Sequence, residues 1–410
     1  MPRSGLRELL RARDPALLLT GQTVSMFGDG VANVALTLLV LDTTRSPGAL
    51  GWFAAARLAP TVALLLVGGV VVDRYSRRVI LLVSDGGRAL VTGALALIIA
   101  SHHLHYGELI AFAVVFGSFD AVFTPALSAV IPEIVAEEHL VAMNSARPLA
   151  NNVVGQFLGP AVGGVLAAFS QSLAIGLDAG TFALSALSIA LMRATPRPSL
   201  APPSRVRHEI AVGLRFVRQR TWIWTTLVAA GLMNALVFVP SGVLLSFLLR
   251  HRLHASSPAI GAFFAVGGVA GAIGAIVSSR LPIPRRRVRA MWLAWMAATL
   301  AFALAGVARH YVEFLLIPVI ATPGLLYGNV VWETMLQQMV PREILGRVSS
   351  VDWFVSLGLS PIGLVVAGAL SGVVGVSTYL VGAALVTLVP AIAITLSPTA
   401  NALDRPISEG

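Results

Sequence analysis

Three ionisable side chains, Asp29, Arg57 and Asp120, fall in the middle of long apolar runs. An ionised group in hydrocarbon costs at least ~2.5–3.5 kcal/mol on insertion scales, so such residues face a water-filled cavity or an opposite charge. Two kinds of chemistry fit. The three could neutralise one another as a static brace, or a carboxylate among them could release and regain a proton as water access alternates between the membrane faces. Asp29 is the better placed proton carrier, with Arg57 at comparable depth as its expected partner and Asp120 as the next candidate. Asn33, one turn after Asp29, shares its helix face and is expected to contact substrate.

A second polar set sits nearer the ends of apolar runs: Asp73, Asp85, Arg88, Glu133, Arg147, Glu333 and Asp352. Charges there can reach the interface, and opposite signs on neighbouring helix ends make a gate that zips in one state and opens in another. Asn329, Glu333 and Gln337 recur every four residues and form one polar stripe, expected with Asn234 to line a substrate cavity. Asp178 lies shallow in its run. His102, His103 and His105 have only Glu108 beside them, so a solvated loop is expected there and no metal site. Trp222, Trp224, Trp292 and Trp295 stand near the ends of apolar runs, as interfacial anchors do.

Residues of this kind need a membrane-embedded scaffold, and the composition provides one. The chain has 410 residues, 56% hydrophobic and 12% charged, with a mean hydropathy of +0.83; soluble domains carry about 25% charged residues. The formal charge of +10 would suggest nucleic acid in a soluble protein. Here the charges lie in short loops between apolar spans, so no nucleic-acid partner is expected. Every basic residue is Arg and there is no Cys, which excludes disulfides, thiolate metal sites and cysteine nucleophiles. No phosphate-binding loop of the G-x-x-x-x-G-K-[ST] type occurs, which argues against ATP as a direct energy source, and no cofactor is implied.

About 20 apolar residues cross the ~30 Å hydrocarbon core. Twelve stretches qualify, at about 15–41, 48–72, 79–101, 107–131, 143–169, 171–192, 222–249, 258–280, 290–308, 311–338, 348–373 and 376–396. The expected fold is an all-α membrane protein of twelve transmembrane helices in two six-helix pseudo-symmetric halves. With the N-terminus placed in the cytoplasm, 22 Arg fall in cytoplasmic segments and four in the opposite loops. That bias sets both termini inside a cell (inner) membrane and makes the Arg-rich start a cytoplasmic leader rather than a signal peptide. The segments are a first half at 1–192, a cytoplasmic linker at 193–221, a second half at 222–396 and a cytoplasmic tail at 397–410. Within the linker, apolar residues alternate with Arg215, Arg218 and Arg220, as in a short helix lying on the inner leaflet. The halves also repeat weakly: Leu158-Gly159-Pro160 answers Leu359-Ser360-Pro361, and Pro132-Glu133 answers Pro341-Arg342-Glu343.

After the second span, Gly69, Asp73, Arg74, Arg77 and Arg78 form the pattern G-x-x-x-D-R-x-x-R-R, with Ser76 where a second Gly is usual. In the fifth span, Gly155, Gly159, Pro160, Gly163 and Gly164 form G-x-x-x-G-P-x-x-G-G, a smooth face for close packing beside a proline that frees a carbonyl. The first resembles the signature of the major facilitator superfamily between spans two and three, and the second its antiporter signature. Gly328 to Val348, Ser25 to Asp29 and Glu209 to Arg220 are similar to the macrolide-efflux and enterobactin-exporter branch. The resemblance implies the major facilitator fold, a gating role for Asp73, Arg77 and Arg78, and proton-driven efflux of a lipophilic drug, natural product or siderophore. The implied partners are the substrate, protons and the lipid bilayer, and a monomer is expected. An importer or facilitator on the same scaffold is the alternative. A membrane-embedded transferase is weaker, because it needs paired metal-binding carboxylates or a catalytic His within a span.

Reporter fusions test this topology: fusions at 195–207 should report cytoplasm, and fusions near His103 and His251 the opposite side. A cytoplasmic signal at His103 would break the twelve-span arrangement, since one miscounted helix inverts every later loop.

Overall fold

The computed structural model describes residues 8–193, 206–281 and 285–397, and within them the backbone alone at 65–74, 141, 206–210, 279 and 342–343. The described residues contain no β-strand. The helices are α1 (Arg13–Thr44), α2 (Pro47–Arg74), α3 (Arg77–Ala100), α4 (Tyr106–Ile134), α5 (Glu137–Phe169), α6 (Gln171–Leu191) and α7 (Val206–Arg218). They continue as α8 (Thr221–Arg252), α9 (Ser257–Arg280), α10 (Arg287–Val307), α11 (Tyr311–Met339), α12 (Ile344–Val374) and α13 (Val376–Leu396). Among the described residues, 11 helices are long and apolar enough to cross a membrane, all but α2 and α7. Helix α2 is 28 residues long and runs into the stretch given as backbone alone.

Local chemistry sets the helix ends. Helix α1 stops where Arg45 adopts a left-handed conformation (φ 52), and Pro47 opens α2 at a position where its missing N–H costs nothing. The Ser170 hydroxyl accepts the N–H of Leu173 at 3.2 Å and starts α6. Helices α4 and α11 begin with the same four-residue device, His105-Tyr106-Gly107-Glu108 and His310-Tyr311-Val312-Glu313. In each, the Glu accepts the backbone N–H of the His, at 2.9 Å and 3.2 Å, in a capping box. This is a further repeat between the halves of the chain.

The chain divides into two units, one of residues 1–200 with 254–269 and one of 201–253 with 270–410. In the first, α5 lies against α1 with backbone touching backbone. A Cβ placed on Gly159 would come within 2.8 Å of the Gly30 Cα, and one on Gly163 within 2.8 Å of the Val31 Cα. The neighbouring Gly164 makes the same kind of contact with α9, 2.8 Å from the Gly261 Cα. The glycine face therefore holds three helices closer than any side chain allows. Pro160 donates no N–H and its ring excludes the carbonyl of Gln156, and the helix answers with wider, π-type turns over Asn151–Leu158. The freed Gln156 carbonyl sits directly on Gly268 of α9.

The second unit uses the same device. Wide turns over Asn234–Phe238 precede Pro240 in α8, and α12 breaks at Leu359 ahead of Pro361. Gly363 of α12 rests on the backbone of Ala235. Helix α7 exists where the linker pattern placed a helix, but its apolar face is used by the protein. Gly213 lies against the backbone of Arg347, and Val217 is buried in one cluster with Trp292, Trp332 and Val348. Trp292 and Trp295, expected as interfacial anchors, are buried in that core at 0% and 5% exposure. Their large apolar rings fill space between helices that composition alone does not reveal.

Overpacking the α1–α5 contact should destabilise the fold. Gly159→Val is expected to cost about 1–3 kcal/mol, read as a lowered unfolding temperature in detergent. Gly86→Ala on α3, where nothing lies within 4 Å, should be tolerated and serves as the control. Equal losses in the two variants would show that the glycine face is not what brings the helices together.

Candidate functional site

The first unit carries a buried charge cluster centred on Arg88, midway along α3. Its guanidinium lies over the rings of Phe123 and Phe182 at 4.1 Å and 4.6 Å. It pairs with Asp85, one turn earlier, and with Asp120 of α4 at 3.3 Å. Asp85 also accepts the Ser185 hydroxyl of α6 at 2.6 Å, and Ser185 in turn accepts the Gln22 amide of α1 at 3.0 Å. Four helices are thus tied through one guanidinium. Arg88 and Asp85 are sealed, with side-chain exposures of 4% and 0%, whereas Asp120 is 43% exposed.

Arg57 of α2 and Asp29 of α1 form a second, looser pair. Their nearest atoms are 3.9 Å apart, beyond hydrogen-bond reach, with exposures of 30% and 36%. Arg57 is held in place by the ring of Phe116 at 4.5 Å and by Gly117, on which its carbonyl rests. Asp178 is buried on α6 and accepts the Thr181 hydroxyl at 3.3 Å. Both side chains press on Gly28, next to Asp29.

The three mid-span charges therefore separate into two pairs. Arg57 stands with Asp29, as expected, while Asp120 stands with Arg88, which the sequence had grouped with the charges at helix ends. Residues Asp85, Ser185, Gln22 and the three phenylalanines were not singled out as one site. Their signal was present in part, since Asp85 and Arg88 are spaced to share a helix face. Of the residues expected to form a gate, Arg77 pairs with Glu133. Arg78 donates to the carbonyls of Ile189 and Ala190 at the end of α6, the former at 3.0 Å. Arg147 is half-buried on α5, with its Nε unpaired. Gly69, Asp73 and Arg74 lie outside the residues with described side chains. Asn33 is exposed on α1.

The second unit carries a partly open cavity of about 400 Å³ between α8, α10, α11 and α12. Asn234, Asn329, Glu333 and Gln337 all line it, as does Asp352. Its apolar wall includes Phe238, Trp295, Trp332 and Trp353. Trp295 donates its N–H to Asn329 at 3.2 Å, and Trp332 donates to Asp352 at 3.1 Å. The Ser356 hydroxyl reaches the other Asp352 oxygen at 3.2 Å. The size is that of a small-molecule site, and a mostly apolar wall with a few convergent polar groups is its usual character.

Long apolar helices, irregular backbone beside prolines, buried arginine–carboxylate pairs and a mixed polar and aromatic cavity define a multi-pass membrane transporter of small molecules. The chain belongs to the major facilitator superfamily, whose family model matches residues 18–356. It is similar to the "Multidrug efflux pump Tap" of Mycobacterium tuberculosis, at 29% identity over 96% of this chain and 98% of that protein. It is also similar to the "Enterobactin exporter EntS" of Escherichia coli, at 26% identity over 80% of this chain and 78% of that one. Among solved structures, a bacterial homologue of the human lysosomal transporter Spinster shares the fold with a TM-score of 0.71, at 15% identity and 99% coverage of each chain. The family and branch expected from the motifs are the ones found.

Removing one partner of a buried ion pair strands the other. Arg88→Met is expected to lower stability by about 3–5 kcal/mol, measured by unfolding in detergent, and Asp85→Leu in the same chain should recover much of the loss. An Arg88→Met protein as stable as the parent would mean that the cluster holds nothing together.

Proposed function

We propose that this transporter is a proton-driven exporter of lipophilic small molecules, with Asp29 carrying the coupled proton. The observation that carries this reading is the Asp29–Arg57 pair. At 3.9 Å and with both side chains partly open, the guanidinium favours the anion without locking it, so protonation needs no hydrogen bond to be broken. Asp85, sealed between Arg88 and Ser185, is built instead to stay paired. Asp120 stands between the two extremes and is the second candidate.

Export as the direction is supported by the fifth-span glycine–proline pattern and by relatives that carry the names of a multidrug efflux pump and an enterobactin exporter. Twelve spans follow if α2 joins the 11 that qualify on their described residues. The arginine bias supports cytoplasmic termini in an inner membrane. Halves at 1–192 and 222–396, a linker at 193–221, a monomeric state and the absence of catalysis complete the reading. Substrate is bound in the second unit by Asn234, Asn329, Glu333 and Gln337, with Asn33 as a further contact. Arg77, Arg78, Arg88, Arg147 and Asp352 belong to the gating machinery, as do Gly69, Asp73 and Arg74.

The test is proton flux in proteoliposomes on addition of substrate. Asp29→Asn keeps shape and hydrogen bonding but removes titration, so uphill export should fall to background while substrate binding survives. Proton movement at the parental ratio in Asp29→Asn would place the coupling site elsewhere, with Asp120 next.

A further inference from the structure

A smaller cavity, of about 210 Å³, lies at the end of the second unit where α8 and α10 begin and α11 and α13 finish. Its wall is mainly apolar, built from Trp222, Met291, Met335 and Ile394, and none of its described lining residues is charged. Thr221 and Ala393, which line it, are exposed, as are Trp224 and Leu396 near them on the same two helices, so the cavity reaches the apolar surface of the unit. The residues around its mouth are basic. Arg218 and Arg220 immediately precede α8, and Arg285, Arg286, Arg287 and Arg289 surround the start of α10, with Val288 of the cavity wall between the last two. Arg220 stacks on the Phe216 ring at 3.5 Å and Arg287 donates to the Gln338 side-chain oxygen at 2.6 Å, contacts that leave both charges without a counter-ion. Helices α8, α10 and α13 carry no Asp or Glu. On α11, Glu313 stands at the opposite end and Glu333 lines the larger cavity, while Glu343, after α11, lies outside the described side chains.

We propose that this cavity and its arginines bind an anionic phospholipid, with an acyl chain in the cavity and the phosphodiester against Arg220 and Arg287. A guanidinium meets a phosphate through paired N–H donors, which makes arginine the suitable residue for this headgroup. A zwitterionic lipid brings an ammonium that needs an acid, and the three helices that start or end here have none. Basic pockets at helix ends on the inner side of a membrane are where anionic headgroups come within reach. The arginine-rich end faces that side in the topology read above, and the proposal takes nothing else from the transport reading. Trp332 and Thr226 line both cavities, and the Trp222 ring meets that of Trp332 edge to face at 5.8 Å. A bound chain therefore packs on the back of Trp332, whose N–H holds Asp352 at 3.1 Å in the wall of the larger cavity.

Phosphatidylglycerol and phosphatidylcholine with identical acyl chains, titrated into the full-length protein in detergent and read as bound lipid by native mass spectrometry, decide the matter. Phosphatidylglycerol should bind saturably and at least about tenfold more tightly, as expected when two arginines each gain from a net negative headgroup. Arg220→Gln with Arg287→Gln should weaken phosphatidylglycerol about tenfold and leave phosphatidylcholine unchanged. Ala393→Phe, which alters no charge and places a ring at the cavity, should weaken phosphatidylglycerol as well. Inorganic phosphate at the lipid's concentration should not displace it. Equal affinity for the two lipids, parental affinity in the double arginine variant or in Ala393→Phe, or displacement by inorganic phosphate would each overturn the proposal, the last by making this a site for a free anion. Should a variant not fold, the lipid comparison and the phosphate competition in the parent protein still decide. Binding is read without transport, so Asp29→Asn should retain it, and a failure of proton coupling is told apart from a failure of lipid binding.

Discussion

Arg88 carries a positive charge at a place that water does not reach, and much of the first unit is arranged around meeting that need. A lone guanidinium there would be prohibitive, so α3 supplies Asp85, α4 supplies Asp120, and Phe123 and Phe182 offer ring faces. Ser185 then donates to the Asp85 oxygen that Arg88 does not use, and Gln22 donates to Ser185, which brings α6 and α1 into the same network. Once these bonds are made, turning α3 or α4 breaks an arginine–carboxylate contact, and turning α6 takes the Ser185 hydroxyl from Asp85. A rigid unit of this kind is what a transporter needs if alternating access is to move whole bundles rather than melt them.

The second constraint is steric. Helices in lipid gain nothing from burying one apolar face against another, so close approach has to come from small residues and dispersion. The glycines of α5 provide that approach to α1 on one side and to α9 on the other. Pro160 places an irregular turn in the same helix, where the displaced carbonyl of Gln156 is shielded by Gly268. The contact between α8 and α12 repeats the theme with Pro240, Pro361 and Gly363. Irregular backbone is tolerable in a membrane only where protein covers it, and in each case a glycine on the facing helix makes room.

The two units treat polar groups differently. In the first, arginines and aspartates neutralise one another, and what varies is how tightly each pair is closed, from the sealed Asp85 to the open Asp29. In the second, a cavity is lined by amides, indoles and the carboxylates of Glu333 and Asp352. The proposed division of labour, proton exchange in the first and solute recognition in the second, rests on this difference.

Much of this was readable in the residues themselves. Runs of about 20 apolar residues cannot do other than form helices in lipid, because only helices satisfy their own backbone there, and the four-residue spacing of Asn329, Glu333 and Gln337 already put them on one face. The glycine–proline pattern announced close packing, and Asp29 with Arg57 announced a pair. Which partner each charge takes was decided by tertiary structure. Asp120 and Arg88 lie 32 positions apart, and nothing local tells α4 to turn its acid toward α3. The same holds for Trp292 and Trp295, whose amphipathic rings fit an interface or a core equally well until neighbouring helices close over them. Helical periodicity is a property of one segment and is written in it. Rotation about the helix axis and choice of neighbour are properties of the packed bundle, set by where small residues permit approach and where buried charges must meet.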